Sequence, residues 1–261
     1  MQTTETQKEQ NQKEQNFLPQ FTIQDLFESS VHYGHKTSFW NPKMKPYIFG
    51  EANGIYIIDL VKTHSALNRA LTELYNIGLQ NKRVLFVGTK PQCSKLVKKY
   101  AIECGQYYVN HRWLGGTLTN WSTIASLINT LDDYEKKIRE ESHKYTKNEL
   151  INMTRQIEKL EKNIGGIRQL NGVPDVIFAI DTHHERIAVS EANKMRVKTI
   201  AVVDTNTDPA GVNILIPGND DSTKASELYL KLASAAVLKG VQDGMKSSGV
   251  DISNFIKKPK K

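Results

Sequence analysis

Short apolar runs, each ending in turn residues, recur along most of the chain. Their β-branched and aromatic content predicts strands, and most of the runs are continuously apolar instead of alternating. Strands of this kind are buried on both faces, which is typical of a parallel sheet covered by helices. The predicted strands span 54–60, 83–89, 106–110, 175–181, 198–204 and 213–219.

Helical patterns lie between these runs, at 63–80, 91–104, 184–195 and 222–240. The alternation of strands and helices predicts an open, Rossmann-like α/β fold with right-handed crossovers. A further helix is predicted over 22–30, with Thr22 as its N-cap.

One region, 118–164, breaks the alternation because it has no strand signal. It carries two narrow apolar stripes on otherwise charged helices, which is typical of a coiled coil. The stripes are formed by Trp121, Ile124, Ile128, Leu131 and Ile138, and then by Leu150, Met153, Ile157, Leu160 and Ile164. Thr146 and Glu149 have capping-box spacing at the start of the second helix, and Gly165 with Gly166 can end it. The pattern favours a projecting antiparallel hairpin over two helices that simply pack on the sheet.

These patterns predict four parts of the chain. A Gln-rich, polar and disordered tail spans 1–20, and a basic tail that ends in KKPKK spans 246–261. The α/β domain takes 21–117 and 165–245, and the coiled-coil hairpin over 118–164 is inserted into it.

The charge of the chain bears on its partners. Its 261 residues contain 35 Lys and Arg against 28 Asp and Glu, a formal net charge of +7. A basic balance favours an anionic partner, most simply a nucleic acid. The two cysteines, Cys93 and Cys104, lie about three turns apart on one predicted helix, too far for a disulfide. We therefore expect a reducing compartment, and residues 1–20 resemble neither a secretory signal nor a transit peptide.

Motifs for cofactor chemistry are missing from the sequence. It contains no GxGxxG, no GxxxxGK[ST] and no GxSxG, so dinucleotide binding, P-loop binding and a hydrolase nucleophile are not supported, and no cofactor is expected. Carboxylates at strand ends and in the following loops could hold Mg²⁺ or act as acid and base, but caps and turns are the favoured interpretation. These carboxylates are Asp59, Asp181, Asp204, Asp208, Asp220 and Asp221. The histidine pairs, His32 with His35 and His183 with His184, lack the spacing of a helical zinc motif, so no metal site is expected.

The strongest chemical signal is the interleaving of lysines and aromatic rings over 32–50. Lys36, Lys43 and Lys45 alternate there with aromatic residues and two prolines, a combination suited to an RNA surface. Tyr47 and Phe49 are expected in the core. For Trp40, among polar neighbours, base stacking and core packing stay equally open.

Several motifs together resemble one family, bacterial-type small-subunit ribosomal protein two, in collinear order over 22–240. They are GHKTSFWNPKMKPYIFGEANGIYIIDL, VLFVGTK, VNHRWLGGTLTNW, GGI, PDVIFAID, EANK, VVDTNTDP and IPGNDD. The resemblance implies a three-layer α/β domain with a coiled-coil hairpin. It also implies a structural, RNA-binding role between the head and body of the small ribosomal subunit, without catalysis. Neighbouring ribosomal proteins, including the large mRNA-binding first protein, are the implied partners.

By the same resemblance, NHRWLGGTLTNW is the neck between sheet and hairpin. Arg112 can bind a phosphate with its planar fork, and Trp113 can either wedge against a sugar or brace the neck. With the segment over 32–50 and the basic tail, this predicts a set of RNA-binding residues. They are Lys36, Trp40, Lys43, Lys45, Arg112, Trp113, Lys257 and Lys258.

Two other functions remain as alternatives, a protein-only adaptor that uses the hairpin and a metal- or nucleotide-dependent α/β enzyme. The expected location is a ribosome, in the bacterial cytoplasm or in an organelle. No membrane partner is expected, because no apolar stretch approaches the roughly 20 residues that span a bilayer.

Overall fold

The structure, a computed structural model, describes residues 18–247. Its strands in that range are β1 (Tyr33–Lys36), β2 (Ile48–Ala52), β3 (Ile55–Ile58), β4 (Val84–Val87), β5 (Tyr107–Val109), β6 (Val176–Ile180), β7 (Lys198–Val203) and β8 (Ile214–Pro217). Its α-helices are α1 (Ile23–Glu28), α2 (Leu60–Leu79), α3 (Pro91–Glu103), α4 (Trp121–Glu141), α5 (Lys147–Ile164), α6 (Arg186–Lys194) and α7 (Thr223–Ser247). The predicted tails lie outside the described residues, apart from 18–20 and 246–247.

The main sheet has five parallel strands in the order β5-β4-β6-β7-β8. Its three central strands, β4, β6 and β7, are almost wholly buried, as their continuously apolar sequences predict, and the two edge strands are partly buried. Successive side chains point to opposite faces, so Phe86 and Phe178 enter one core while Leu85 and Ile177 enter the other. Five of the six strands predicted from sequence therefore form the expected parallel sheet.

The remaining predicted strand, over 54–60, forms as β3 but does not belong to the parallel sheet, so that part of the prediction was wrong. β3 pairs antiparallel with β1 and β2 in a separate three-stranded sheet, of order β1-β3-β2. Asn53 and Gly54 join β2 to β3 with φ of 53° and 76°, the two positive values that a tight hairpin turn requires. This Asn-Gly pair was the available signal for the hairpin.

Helices cover both faces of the main sheet, which confirms the three-layer α/β architecture. One core lies under α2, α3 and α7, and the other lies under α6 and the buried ends of α4 and α5. Helices α2 and α7 approach closely at two glycines. A Cβ on Gly78 would lie 2.4 Å from the Val237 carbonyl oxygen, and one on Gly240 would lie 2.2 Å from that of Tyr75.

The region over 118–164 contains the two predicted helices, α4 and α5, which pack against each other. The capping box at Thr146 and Glu149 is present and starts α5. Ile124, Leu131 and Ile164 are buried in the second core, whereas the apolar residues nearer the turn between the helices are only partly buried. The coiled-coil geometry and the domain boundaries stay predictions.

Local expectations about α1 and the cysteines are confirmed. Thr22 caps α1 and forms a capping box with Asp25. Cys93 and Cys104 are both buried and free. No helix within 18–247 combines the length and apolarity needed to cross a membrane.

Candidate nucleic-acid interface

The segment over 32–50 is held against the α/β domain by its backbone and by one buried side chain. The Asn41 amide donates to the Thr205 carbonyl at 2.8 Å, and Met44 is fully buried. Two 3-10 turns, Thr37–Phe39 and Pro42–Tyr47, carry the chain between β1 and β2. The lysines around these anchors are consequently displayed on a fixed backbone.

All three lysines of this segment are exposed, as predicted. Lys36 and Lys45 have no ion pair or side-chain hydrogen bond within the described part of the chain. Lys43 differs, because its Nζ lies 2.7 Å from the Asp208 carboxylate. That pair is itself exposed, so an anion competing for Lys43 meets little resistance.

The aromatic residues of the segment divide in a way that the sequence did not predict. Phe49 was expected in the core, but it is 80% exposed on β2. Phe39 is also well exposed, at 67%. Trp40 is half-buried and its ring leans on Tyr56 at a centroid distance of 5.0 Å, so one part of its surface packs and the other stays accessible.

The neck residues Arg112 and Trp113 point to different environments. Arg112 is exposed and has no partner within 18–247. Trp113 is 8% exposed, and its indole N–H donates to Glu191 of α6 at 3.1 Å. Of the two roles open to Trp113, the contacts support the brace of the neck, and they do not offer its ring to RNA.

Glu191 organises the whole neck, a role that sequence analysis did not predict beyond placing this residue in a helix. Its carboxylate accepts the backbone N–H groups of Gly116, Leu118 and Thr119 at 2.8, 2.9 and 3.2 Å, besides the Trp113 indole and the Thr119 hydroxyl. Gly116 has φ of 89°, the left-handed conformation that turns its amide toward the carboxylate. Burial alone would raise the pKa of Glu191, but the hydrogen bonds from Leu118, Gly116 and Trp113 outweigh it and lower that pKa.

The remaining predicted RNA-binding residues, Lys257 and Lys258, lie outside the described residues.

Three of the six carboxylates singled out from the sequence, Asp59, Asp181 and Asp208, act in caps and turns as expected, whereas Asp220 and Asp221 pair with Lys90. Asp59 accepts the amides of the first turn of α2, although it follows β3 of the small sheet. Asp181 accepts the amides of His183 and His184, and Asp208 accepts that of Ala210. These bonds use the carboxylates as local backbone acceptors.

A charged cluster at the carboxyl ends of the parallel strands was not foreseen. Lys90 Nζ lies 2.6 Å from Asp181, 3.0 Å from Asp220 and 2.7 Å from Asp221. His35 lies beside it, 3.1 Å from Asp204 and 3.2 Å from Asp221. Four separate loops and strand β1 bring these side chains together, so no local sequence pattern could have shown the cluster.

Titration in this cluster is strongly perturbed. Burial and the neighbouring charges of Asp204 and Asp181 raise the pKa of Asp220 to about 8, although Lys90 opposes them. The Asp204 carboxylate, which accepts from the His35 ring, raises the pKa of His35. Ligand atoms of His35, Asp204 and Asp220 lie within 4.8 Å of one another, a spacing that a single cation could bridge. The expected absence of a metal stays a prediction.

The loops that follow β4 and β6 are joined by side-chain contacts at the place where open α/β sheets usually bind ligands. In an open α/β sheet ligands bind where the strand order reverses, here between β4 and β6. There the amide and hydroxyl of Thr89 donate to the buried Glu185 carboxylate at 2.7 and 2.6 Å. The ion pair of Lys90 with Asp181 joins the same two loops. The chain's own side chains thus join the two loops between which an open α/β sheet binds its ligands.

Comparisons with known proteins agree on one family. A family model described as Ribosomal protein S2 matches residues 26–240. The chain is 52% identical over 240 residues to "Small ribosomal subunit protein uS2" of Wolbachia pipientis wMel, which covers 91% of this chain and 85% of that protein. It is 48% identical over 238 residues to the protein of the same name from Ehrlichia ruminantium (strain Gardel), covering 91% of this chain and 83% of that protein.

Proposed function

The chain belongs to the ribosomal protein S2 family, and on that premise we propose that its exposed, unpaired cations hold it on the RNA of the small ribosomal subunit. It is a structural constituent of that subunit that supports translation, and it is not an enzyme. Its partners are ribosomal RNA and other ribosomal proteins. The relatives compared above come from bacteria, which favours the bacterial ribosome over the organellar one.

The observation that carries the RNA proposal is the contrast among the cations. Lys36, Lys45 and Arg112 stand exposed without an acidic partner within 18–247, while Lys90 is enclosed by three carboxylates. Exposed cations that no carboxylate neutralises are free to replace the counterions of a phosphate backbone. Lys43, which has only an exposed ion pair, extends the set.

Aromatic surface beside these lysines adds a second kind of contact. The accessible part of Trp40 and the exposed rings of Phe39 and Phe49 lie on the same segment, where they can meet unstacked bases or a protein neighbour. Trp113 is omitted from this surface because its ring and its N–H are already used inside the neck.

The finer placement rests on the family resemblance. We place the chain between the head and body of the subunit, with the large mRNA-binding first protein among its neighbours. The half-buried apolar seam of α4 and α5, and the exposed Phe49, are the surfaces best suited to protein contacts. The adaptor alternative would use the same surfaces without RNA.

Binding of the purified protein to small-subunit ribosomal RNA tests the proposal. If about four to six phosphates are neutralised, log K falls against log salt with a slope of roughly −3 to −5. An RNA affinity that does not change with salt would contradict the proposal. Salt-insensitive complexes that contain protein partners and no RNA would favour the adaptor instead.

A further inference from the structure

A groove between α6 and the loop over 204–213 presents several polar groups that the chain itself does not use. We call it the α6 groove, and its volume is about 480 Å³. That size lies in the range of small-molecule sites, roughly 300–1,000 Å³, and accommodates one nucleotide. Its walls include Val189 of α6 and Ala210 of the loop, which can contact the face of a base.

Two cations of α6, Arg186 and Lys194, line the groove. Both are exposed, and neither has an ion pair or a side-chain hydrogen bond within the described residues. The acidic residue of the groove is Asp208, and Lys43 already neutralises it at 2.7 Å. The groove therefore favours an anion.

Three polar side chains of the groove are also without hydrogen-bond partners within 18–247, whereas the hydroxyl of a fourth, Thr207, donates to Asn206 at 2.8 Å. Thr182 is only 6% exposed, and its hydroxyl has no hydrogen-bond partner within 18–247. A buried hydroxyl without a partner is unfavourable, so its persistence at a groove wall points to a group that binds there. Ser190 and Asn193 line the same groove and have no side-chain hydrogen bond among the described residues. Together they supply donors and acceptors of the kind that read base edges and ribose hydroxyls.

From this arrangement we infer that the α6 groove holds one unpaired nucleotide of ribosomal RNA, with Arg186 and Lys194, about 12 Å apart along α6, contacting the phosphates on its two sides. The inference rests on the proposed function. The ion pair of Asp208 with Lys43 makes the groove continuous with the lysine-bearing segment over 32–50, which favours RNA over an acidic peptide. A concave site of this size takes a base that has left its helix, since a duplex presents its backbone and not single bases.

Base-specific chemical probing of small subunits that contain the wild-type or a variant protein tests the inference. In Ser190→Trp the indole fills the groove, so one unpaired nucleotide should become reactive while the other protections by the protein persist. Arg186→Ala should weaken binding of small-subunit ribosomal RNA about tenfold, because a cation that contacts phosphate is lost. Lys82→Ala is the matched control, because Lys82 is also exposed and has no partner within 18–247 but lies at the amino ends of the strands, opposite the groove. Its effect should stay within about twofold.

Thr182→Val separates a binding role from a structural one. The variant keeps the shape and removes a hydroxyl that has no partner in the free protein, so the melting temperature should stay the same or rise. The nucleotide protection should nevertheless weaken. A lowered melting temperature with full protection would mean that the hydroxyl is structural, and the inference would be overturned.

The other outcomes are equally decisive. If Ser190→Trp changes no nucleotide while the protein still protects ribosomal RNA elsewhere, the groove inference is wrong and the proposed function stands. If Ser190→Trp instead releases a neighbouring protein, the groove is a protein site. If even the wild-type protein protects no ribosomal RNA, the proposed function and the inference both fail.

Discussion

Replacement of Glu191 by glutamine should loosen the neck while leaving the α/β core intact. The carboxylate accepts five hydrogen bonds, four of them from N–H groups that can only donate and one from the Thr119 hydroxyl. A glutamine amide has one oxygen and one NH₂ group. If the NH₂ group replaces Oε1, it faces the N–H groups of Trp113 and Gly116. If it replaces Oε2, it faces those of Leu118 and Thr119.

The magnitude follows from the number of bonds lost. At least two hydrogen bonds to a charged acceptor disappear, each worth about 1.5–3 kcal/mol. Removing a buried charge offsets part of that loss. We therefore expect a decrease of about 2–4 kcal/mol in the free energy of unfolding, which corresponds to a melting temperature lower by roughly 5–15 °C for a chain of this size.

Thermal and urea denaturation of the free protein measure this change, with Glu158→Gln as the matched control. Glu158 is exposed on α5 and has no partner within the described residues, so that variant should melt like the wild type.

The pH dependence of stability gives an independent check. Because the pKa of Glu191 is lowered on folding, its stabilisation is complete above the unfolded value of about 4.3 and is lost as the pH falls through the folded value. Glu191→Gln should consequently lose less stability on acidification than the wild type. A variant that melts with the wild type and shows the same acid dependence would refute this account of the neck.

Further predictions concern the cations and the charged cluster. Arg112→Ala should lower occupancy on small subunits, while the melting temperature of the free protein stays nearly unchanged. Arg112→Lys should rescue only part of this loss, because lysine lacks the planar fork. If Arg112→Ala instead unfolds the protein, and its folded fraction still shows full occupancy, Arg112 is a structural brace. Replacing both Lys36 and Lys45 by alanine should make the salt slope of RNA binding shallower by about 2, measured from about 50 to about 200 mM salt, and an unchanged slope would remove both lysines from the interface. Folding raises the pKa of Asp220 to about 8, so this residue's contribution to stability is complete below its unfolded pKa of about 4 and is lost as the pH rises through about 8. Urea unfolding at increasing pH should therefore show the wild type losing stability over that window and Asp220→Asn losing less; equal losses would contradict the assignment.

The order of elements was predictable because it depends on local patterns. Continuous apolar runs predicted β4 to β8, and helical periodicity predicted the helices between them. Thr22 and the pair Thr146 with Glu149 predicted two helix starts, since a capping box needs residues only three positions apart.

The small sheet was harder to predict because β1 and β2 are only four and five residues long and contain glycine, histidine, glutamate and lysine. They form because β3 lies between them and supplies the ladder hydrogen bonds. Phe49 was misplaced for the same reason, because the side of the sheet on which it lies depends on this pairing.

The exposed cations of the candidate interface could be predicted from the sequence, but the buried contacts that position them could not. The exposure of Lys36, Lys45 and Arg112 follows from their chemistry. The burial of Trp113 depends on Glu191, which lies 78 positions away in the sequence. The cluster around Lys90 likewise needs the ends of several strands at one edge of the sheet, so it appears only when the chain is folded.

Sedimentation of the tagged protein from a cell lysate tests the central claim most directly. We predict that it travels with small ribosomal subunits at low salt and is released as the salt is raised, with Lys36, Lys45 and Arg112 variants released at lower salt than the wild type. Glu158→Gln should behave as the wild type in the same gradients. A protein that stays among the free proteins at low salt, while correctly folded, would contradict its assignment as a constituent of the small subunit.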